Sequence, residues 1–333
     1  MALFPSLGRD QLRRTDATSC GHLLHMPSHL DIQVGDYKRA MEANVTAYTA
    51  DLKLHAHSPE RFSIYVGYLL HNIEFCAWAA MYAGCKKVAL EAADELEAFL
   101  SHEVMISSPL TPVYFEAYLT TRLMALIRFG MWAEILQHPF REDRQARAGE
   151  SRDTTLLVCI ISMDRVIRVS VIFAITTDRA SFAAILRTLQ PTDRYKHNAN
   201  LLLMGEIANL ILSAELSYRE GDHDLAFSWL LEAVEKFDAL PYDEPHGWLM
   251  SPRQTLGALL TEQKQYERAI TVYDEDLMLF PNNPWALAGL AICCEATGSP
   301  RMKEVQAALE ATRGLADIQI GASCACALSQ WSK

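Results

Sequence analysis

The stretch QKQYERA at residues 263–269 decides how the chain folds, because it carries the signals of a short turn between two helices. Tyr266 opens the second helix, and the small Ala269 follows three residues later. The same arrangement occurs as VGDYKRA at residues 34–40 and as EGDHDLA at residues 220–226. A small side chain at the alanine position lets the second helix fold back closely on the first. The recurrence predicts repeated antiparallel helical hairpins.

The rest of the chain also has helical character. Only 15 glycines and 13 prolines interrupt 333 residues. Between them, apolar residues recur at helical spacing, with almost no strand-like alternation. Ser58 and Pro59 predict the start of a long helix, and Gly84 follows its end. We therefore expect an all-α fold, a right-handed α-solenoid of antiparallel helical hairpins whose first helices line a concave face.

The helical signals define one expected domain at residues 21–315, between an N-terminal extension (1–20) and an irregular tail (316–333). In this tail, Cys324 and Cys326 have the CAC spacing with which thiolates chelate a soft ion, but two ligands alone are a weak metal signal. We expect the tail to pack into the groove of the solenoid as an irregular or strand-like segment.

Composition excludes several classes of function. The net charge is −11, with 41 acidic against 30 basic residues, so we expect no nucleic-acid binding, which requires basic patches. The chain shows no secretory signal and no run of 18 apolar residues, which predicts a soluble cytoplasmic protein without a membrane segment. Its eight cysteines lie mostly in apolar helical patterns and are expected to be reduced. Phosphate-loop, dinucleotide and GxSxG motifs are absent from the sequence.

Five segments in order along the chain carry a more specific signal. They are GHLLHMPSHLDIQVGDYKRAMEAN (21–44), LLHNIEFCAWAAMYAG (69–84), LIRFGMWAEIL (126–136), LPYDEPHGWLMSPRQTLGALL (240–260) and YDEDLMLFPNNPWALAGL (273–290). Together they resemble a bacterial family of tetratricopeptide-repeat proteins, generally without an assigned activity, with the motifs GHLxHMPSH, HNxxF and EPxxW…RQxLGAxL. The resemblance covers about residues 20–320 and implies tetratricopeptide-like hairpins. The interval from Ala226 to Ala269 exceeds the usual period of about 34 residues, so the repeats are degenerate.

Two departures from that family concern its histidines. Family members usually carry a further histidine-containing helical unit upstream of the segment that matches Gly21, and only some twenty residues precede it here. The family also tends to have a histidine where this chain has Glu74. The resemblance therefore implies a site that is altered or incomplete relative to the family.

A candidate metal site begins with the stretch CGHLLHMPSH at residues 20–29, which contains three of the eleven histidines, His22, His25 and His29. One continuous helix would place all three imidazoles on one face. Pro27 is expected to push Met26 out of the α region, and so to kink the helix or to divide it in two. Either geometry keeps His25 and His29 close together and lets His22 move away.

The next long helix supplies further ligands, because His71 and Glu74 are three residues apart and share a face. Packing of the two segments would bring two or three imidazoles and one carboxylate together. This ligand set suits copper, iron, zinc or nickel better than calcium or magnesium. Glu42 or Asn44 is a candidate to accept the other ring N–H of a ligating histidine. The competing interpretation is that each histidine is a hydrogen-bonded structural residue.

The segment DEPHGWLMSPRQTLG at residues 243–257 offers a candidate for substrate binding. Its Arg253 has the geometry to clamp a carboxylate through two hydrogen bonds, or else to pair with Glu244 and fix the loop. Trp248 and Trp78 are expected to line a neighbouring groove, although such residues are more often plain core.

Three functions follow from these patterns. The first is a metal-dependent enzyme for a small organic substrate, with a preference for an oxidative reaction that uses dioxygen. The second is a scaffold that binds a protein or peptide partner, the usual role of such repeats, with structural histidines. The third is a zinc-dependent hydrolase or lyase. A homo-oligomer is compatible with all three, and the sequence names no catalytic residue.

Overall fold

The prediction of an all-α fold is confirmed. The structure is a computed structural model that describes residues 20–57, 65–100, 112–137, 182–184, 186–195 and 198–327. In these ranges, helices account for nearly all of the regular structure. The predicted N-terminal extension up to residue 19, the Ser58–Pro59 helix start and the last six residues of the tail lie outside the described ranges.

The helices divide into an N-terminal and a C-terminal group. The first group comprises α1 (Gly21–His25), α2 (Pro27–Gln33), α3 (Tyr37–His57), α4 (Tyr65–Ala83), α5 (Lys86–Phe99), α6 (Pro112–Tyr118), α7 (Thr120–Arg128) and α8 (Trp132–Gln137). The second comprises α9 (Leu201–Arg219), α10 (His223–Asp238), α11 (Pro252–Glu262), α12 (Tyr266–Leu279), α13 (Pro284–Thr297) and α14 (Met302–Arg313). Before α9, the short strands β1 (Arg194–Tyr195) and β2 (Ala199–Asn200) pair antiparallel, with Arg194 opposite Asn200.

The three repeated segments all form a turn followed by a helix. Helices α3, α10 and α12 begin at Tyr37, His223 and Tyr266, and the alanine three residues later is fully buried in each case. The turns contain a residue with positive φ, which is glycine in the first two segments and Lys264, with φ 58°, in the third. The buried alanines allow the helices on either side of each turn to pack in pairs, which are α2 with α3, α9 with α10, and α11 with α12.

The carboxylate of Asp51 on α3 links the start of the histidine-containing segment to α4 through hydrogen bonds. The backbone N–H of Gly21 donates to Asp51 Oδ1 at 3.1 Å, and Asn72 on α4 donates to Asp51 Oδ2 at 2.8 Å. A Cβ atom at residue 21 would lie 2.1 Å from this carboxylate, so the close approach requires glycine. Helix α1 thereby packs against both α3 and α4.

Two tryptophans connect the N-terminal and C-terminal groups of helices. The indole N–H of Trp78 on α4 donates to the carbonyl of Leu249 at 3.0 Å, and that of Trp285 on α13 donates to the carbonyl of Met81 at 2.9 Å. Both rings are buried, and Trp78 belongs to the main hydrophobic core, which extends from Ile32 to Ala327. The Trp78 contact holds the loop before α11 against α4, where the candidate site lies, and the Trp285 contact holds α13 against the end of α4.

Helix α9 is long and apolar enough, by length and composition, to cross a membrane. In the structure, 78% of its most apolar window is buried inside the protein. This burial is what the core helix of a soluble protein shows, because its apolar side chains pack against other helices rather than against lipid.

The tail contains no helix between residues 316 and 327, and it packs back on the helices. Asp317 accepts hydrogen bonds from the backbone N–H groups of Lys86 and Lys87, at 2.7 and 2.8 Å, at the start of α5. The expectation of reduced cysteines is wrong for Cys324 and Cys326, which form a disulfide bond with each other. The free cysteines of the described ranges are Cys20, Cys76, Cys85, Cys293 and Cys294.

Candidate metal centre

Three imidazoles from two separate segments converge at the junction of α1, α2 and α4. The Nε2 atom of His25 lies 2.7 Å from Nε2 of His29 and 3.0 Å from Nε2 of His71. One ring nitrogen from each of the three lies within 4.8 Å of the others, a spacing at which one metal ion can bind all of them. Transition metals bind imidazole nitrogen at about 2.0–2.1 Å, which places two ligating nitrogens roughly 3 Å apart.

Asn44 on α3 forms a hydrogen bond with the outer ring nitrogen of His25, which is the Nδ1 atom on the side of the ring away from the other two imidazoles. Asn44 donates through Nδ2 to the carbonyl of Ala40 at 2.7 Å, which leaves Oδ1 as the atom 2.6 Å from His25 Nδ1. An amide oxygen only accepts hydrogen bonds, so Nδ1 carries the proton and donates it. The hydroxyl of Ser28 lies farther from the same nitrogen, at 3.3 Å.

The outer ring nitrogen of His29 is held by Glu244, which comes from the loop before α11. A carboxylate accepts the N–H of Nδ1, so this ring also carries its proton on the outer nitrogen. Such a chain from carboxylate to histidine is the usual way in which a protein orients a metal-binding imidazole and increases its basicity. The peptide bond between Glu244 and Pro245 is cis.

The inner nitrogens of His25 and His29 therefore present lone pairs to each other across 2.7 Å. Burial lowers the pKa of His25 to about 3, with a further contribution from His29, and burial lowers the pKa of His29 to about 4. These shifts favour the neutral form of both rings, and a neutral imidazole with its proton on Nδ1 has none on Nε2. A metal cation held by these nitrogens would satisfy the facing lone pairs.

Pro27 divides the histidine segment without displacing it from helical geometry. Helix α1 ends at His25 and α2 begins at Pro27, with Met26 between them. The expectation that Met26 leaves the α region is wrong, because its backbone has φ −48° and ψ −36°. Its N–H still donates to the carbonyl of His22 at 3.1 Å, which keeps the turn helical up to the proline. His25 and His29 consequently remain one turn apart on the same side.

The other two predicted ligands lie beside the three imidazoles rather than among them. The ring of His22 is stacked on that of His25, with centroids 5.5 Å apart, and contacts Tyr68 at 4.1 Å. The Oε1 atom of Glu74 accepts a hydrogen bond from Thr121 at 3.1 Å. Neither His22 nor Glu74 contributes an atom to the group of close ligand atoms that His25, His29 and His71 form.

The two predicted supporting residues have different environments. Asn44 is fully buried and contacts His25, as described above. Glu42 is exposed, and its carboxylate lies 3.8 Å from Lys38 in an ion pair along the helix.

The residues predicted to bind substrate are all buried. Arg253 forms two hydrogen bonds to the carboxylate of Asp238, at 2.7 and 2.6 Å, and one to Glu275 at 3.3 Å. The indole ring of Trp78 packs edge-on against Phe75, whose ring contacts both His25 and His29 at 5.0 Å between centroids. Trp248 is buried in the main core.

Glu244 is the site residue that the sequence did not reveal. The sequence suggested Arg253 as its partner, whereas the structure places it on His29. The available signal was an acidic residue in the EPxxW motif, which is the second specific motif besides HMPSH. Sequence spacing does not identify the pair, because 215 positions separate the two residues.

A comparison with family models and with curated proteins finds no match for this chain.

Proposed function

We propose that this protein is a metal-dependent enzyme that acts on a small organic substrate, with a transition metal held by His25, His29 and His71. The observation that carries the proposal is the convergence of three inner imidazole nitrogens while the outer nitrogens of His25 and His29 are held by Asn44 and Glu244. A structural histidine needs its nitrogens satisfied by donors and acceptors. It gains nothing from facing another lone pair at hydrogen-bond distance.

The ligand set supports copper, iron or zinc. Three neutral imidazoles suit each of these ions, and three protein ligands leave positions open for substrate and water. A redox-active ion held there would supply dioxygen activation for oxidation of the substrate, which is the reaction we favour, whereas zinc would supply an activated water for a hydrolase or lyase. Arg253, Trp248 and Trp78 stay predicted substrate contacts.

We also propose that the helix pairs form a right-handed tetratricopeptide-like α-solenoid, that the chain belongs to the family it resembles, and that the protein is cytoplasmic. The buried alanines of the three repeated turns support the first proposal. The alternative function is a scaffold that binds a protein or peptide along the solenoid, with possible self-association. Its support is the repeated hairpin, and it assigns no role to the converging imidazoles.

Metal content tests the proposal directly. Protein purified without a polyhistidine tag or chelator is analysed by inductively coupled plasma mass spectrometry, together with the variants His29→Ala and His57→Ala. His57 is an exposed histidine bonded to the carbonyl of Lys53 and serves as the matched control. We expect near-stoichiometric copper, iron or zinc in the wild type and in His57→Ala, and loss of it in His29→Ala.

Absence of a metal would contradict the proposal. Wild-type protein that is metal-free, and whose melting temperature does not move with copper, iron, zinc, nickel or manganese, returns the histidines to a structural role. Protein that does bind a metal is then screened for oxygen consumption with small organic substrates, and a metal-bound protein without oxygen consumption favours the hydrolase or lyase.

A further inference from the structure

A cavity lies among α7, α9, α11 and the tail, and none of the three histidines lines it. Its volume is about 70 Å³. A single water needs about 10–15 Å³ on this measure, so the cavity admits a group of several non-hydrogen atoms. Most of its wall is apolar and includes Met124, Ile127, Trp132 and Ile211. The polar members of the wall include the buried residues Arg128, Glu215 and Gln254.

This wall contains the buried acidic residue Glu215 and one basic residue, Arg128. Arg128 is only 5% exposed, and one face of its guanidinium stacks on Trp285 at 3.8 Å from the ring centroid. Its hydrogen bonds are long, at 3.5 Å to the carbonyl of Met81 and 3.4 Å to that of Ser323. The Nη2 atom has no hydrogen-bond partner among the described residues, and none of their carboxylates forms an ion pair with Arg128. A buried guanidinium with five N–H donors is thus left with two weak acceptors.

A buried arginine with so few hydrogen-bond acceptors destabilises the protein when the cavity holds no ligand. A buried charge costs several kcal/mol unless an opposite charge and hydrogen bonds compensate for it. The ring of Trp285 offsets part of that cost through a cation–π contact. The remaining donors lie at the edge of the guanidinium plane, where a carboxylate binds through two parallel hydrogen bonds.

Gln254 adds a second polar atom to the same wall. Its Nε2 donates to Asp276 at 3.0 Å, which fixes the amide orientation, and its Oε1 has no partner among the described residues. Gln254 is 2% exposed. An amide oxygen only accepts, so it matches a hydroxyl or amine donor on a ligand.

We propose that this cavity binds a short organic acid, with its carboxylate on Arg128, its apolar carbons against Met124, Ile127 and Trp132, and a hydroxyl or amine donating to Gln254 Oε1. The apolar wall disfavours phosphate and sulfate, which are larger and lose more hydration on burial. The cavity volume limits the ligand to a short chain.

Calorimetry and tryptophan fluorescence test this site, since Trp132 and Trp248 line the cavity. The probes are lactate, propionate and the neutral propionamide, each titrated into chelator-treated protein. We expect lactate to bind more tightly than propionate, and propionamide to bind at least about tenfold more weakly than propionate, because a hydrogen bond to a charged group contributes more than a neutral one. Equal affinity for propionate and propionamide overturns the proposal, as does an absence of binding by all three.

Variants assign the binding to this cavity. Arg128→Met replaces the aliphatic stem of the arginine and removes the guanidinium, and we expect at least a tenfold loss of propionate affinity with folding retained, because an apolar replacement of a buried charge is often tolerated. Arg313→Met removes an exposed arginine that pairs with Glu310, and should bind as the wild type does. If Arg128→Met does not fold, Arg128→Lys tests the same contact through loss of the two parallel hydrogen bonds.

The variant His29→Ala distinguishes binding of the acid at the metal centre from binding in this cavity. Carboxylates also ligate metal ions, so we expect His29→Ala to keep the wild-type affinity for propionate. Affinity that disappears in His29→Ala and persists in Arg128→Met would place the acid on the histidines and would overturn the proposal, whatever the metal content of the protein.

Discussion

Glu244 lies against the outer nitrogen of His29, although 215 positions separate the two residues in the chain. The contact joins the loop before α11 to the histidine segment. It therefore makes the properties of the candidate centre depend on a residue far outside the HMPSH stretch.

Replacement of this carboxylate tests its role on the metal. We expect Glu244→Gln to lower metal affinity by about 10- to 100-fold, because the amide no longer provides the negative charge that increases the basicity of His29. Competition with a chromophoric chelator measures the change. Glu275→Gln, which alters a contact of Arg253 instead, is the control. Unchanged affinity in Glu244→Gln would mean that the carboxylate of Glu244 does not support metal binding through His29.

Gly21 provides a test of how α1 is attached. Gly21→Ala places a methyl group on the carboxylate of Asp51, and we expect a loss of about 1–3 kcal/mol in the free energy of unfolding from overpacking. Gly314→Ala is the matched control, since a Cβ atom there meets nothing within 4 Å and the backbone φ is −64°. Urea denaturation compares the two. A Gly21→Ala protein as stable as the control would contradict the close packing.

Glu215 gives stability a characteristic dependence on pH. Burial raises its pKa from 4.5 to about 7, against an opposing effect of Arg219 and with a further increase from Glu262. The native state thus holds a proton that the unfolded chain releases, so this group's contribution to stability falls as pH rises from about 4.5 to 7. We expect Glu215→Gln to be more stable than the wild type above pH 7, by an amount on the order of a few kcal/mol.

The test is the difference in unfolding free energy between wild type and Glu215→Gln, measured by urea denaturation at several pH values. The difference should grow across that window and level off on both sides. A constant difference would show that Glu215 ionises in the native protein as it does in the unfolded chain.

The hydrogen bonds of Arg253 lead to a prediction about the stability of the fold. Its two hydrogen bonds to Asp238 fix the start of α11 to the end of α10. Asp238 is 43% exposed, so solvent weakens the pair, and we expect Asp238→Asn to cost only about 1 kcal/mol of stability. Thermal denaturation measures it. Asp274→Asn, which affects a more exposed arginine pair with Arg301, should cost less.

The local parts of the structure were predictable from sequence, and the long-range contacts were not. The turns before Tyr37, His223 and Tyr266 follow from short patterns in which a residue with positive φ precedes the helix. The proximity of His25 and His29 follows from helical spacing alone. By contrast, the approach of Glu244 depends on packing between helix groups, which no local pattern encodes.

Pro27 and the tail cysteines show where local rules fail. The rule that a residue before proline avoids the α region gave the wrong conformation for Met26, because the helical hydrogen bond to His22 outweighs the steric preference. Cys324 and Cys326 were expected as free thiols from compartment statistics. Their disulfide reflects the local turn of the tail, which sequence composition does not describe.

The hydrogen bonds from Lys86 and Lys87 to Asp317 have a consequence for biosynthesis. The start of α5 receives its capping carboxylate from a residue 231 positions after Lys86, which is synthesised long after α5 itself. Domains generally begin to fold from the N-terminus while the chain is being made. The nascent α5 must therefore emerge from the ribosome with its first N–H groups bonded to water, and the order in which the protein acquires its contacts differs from the order in which its residues are synthesised.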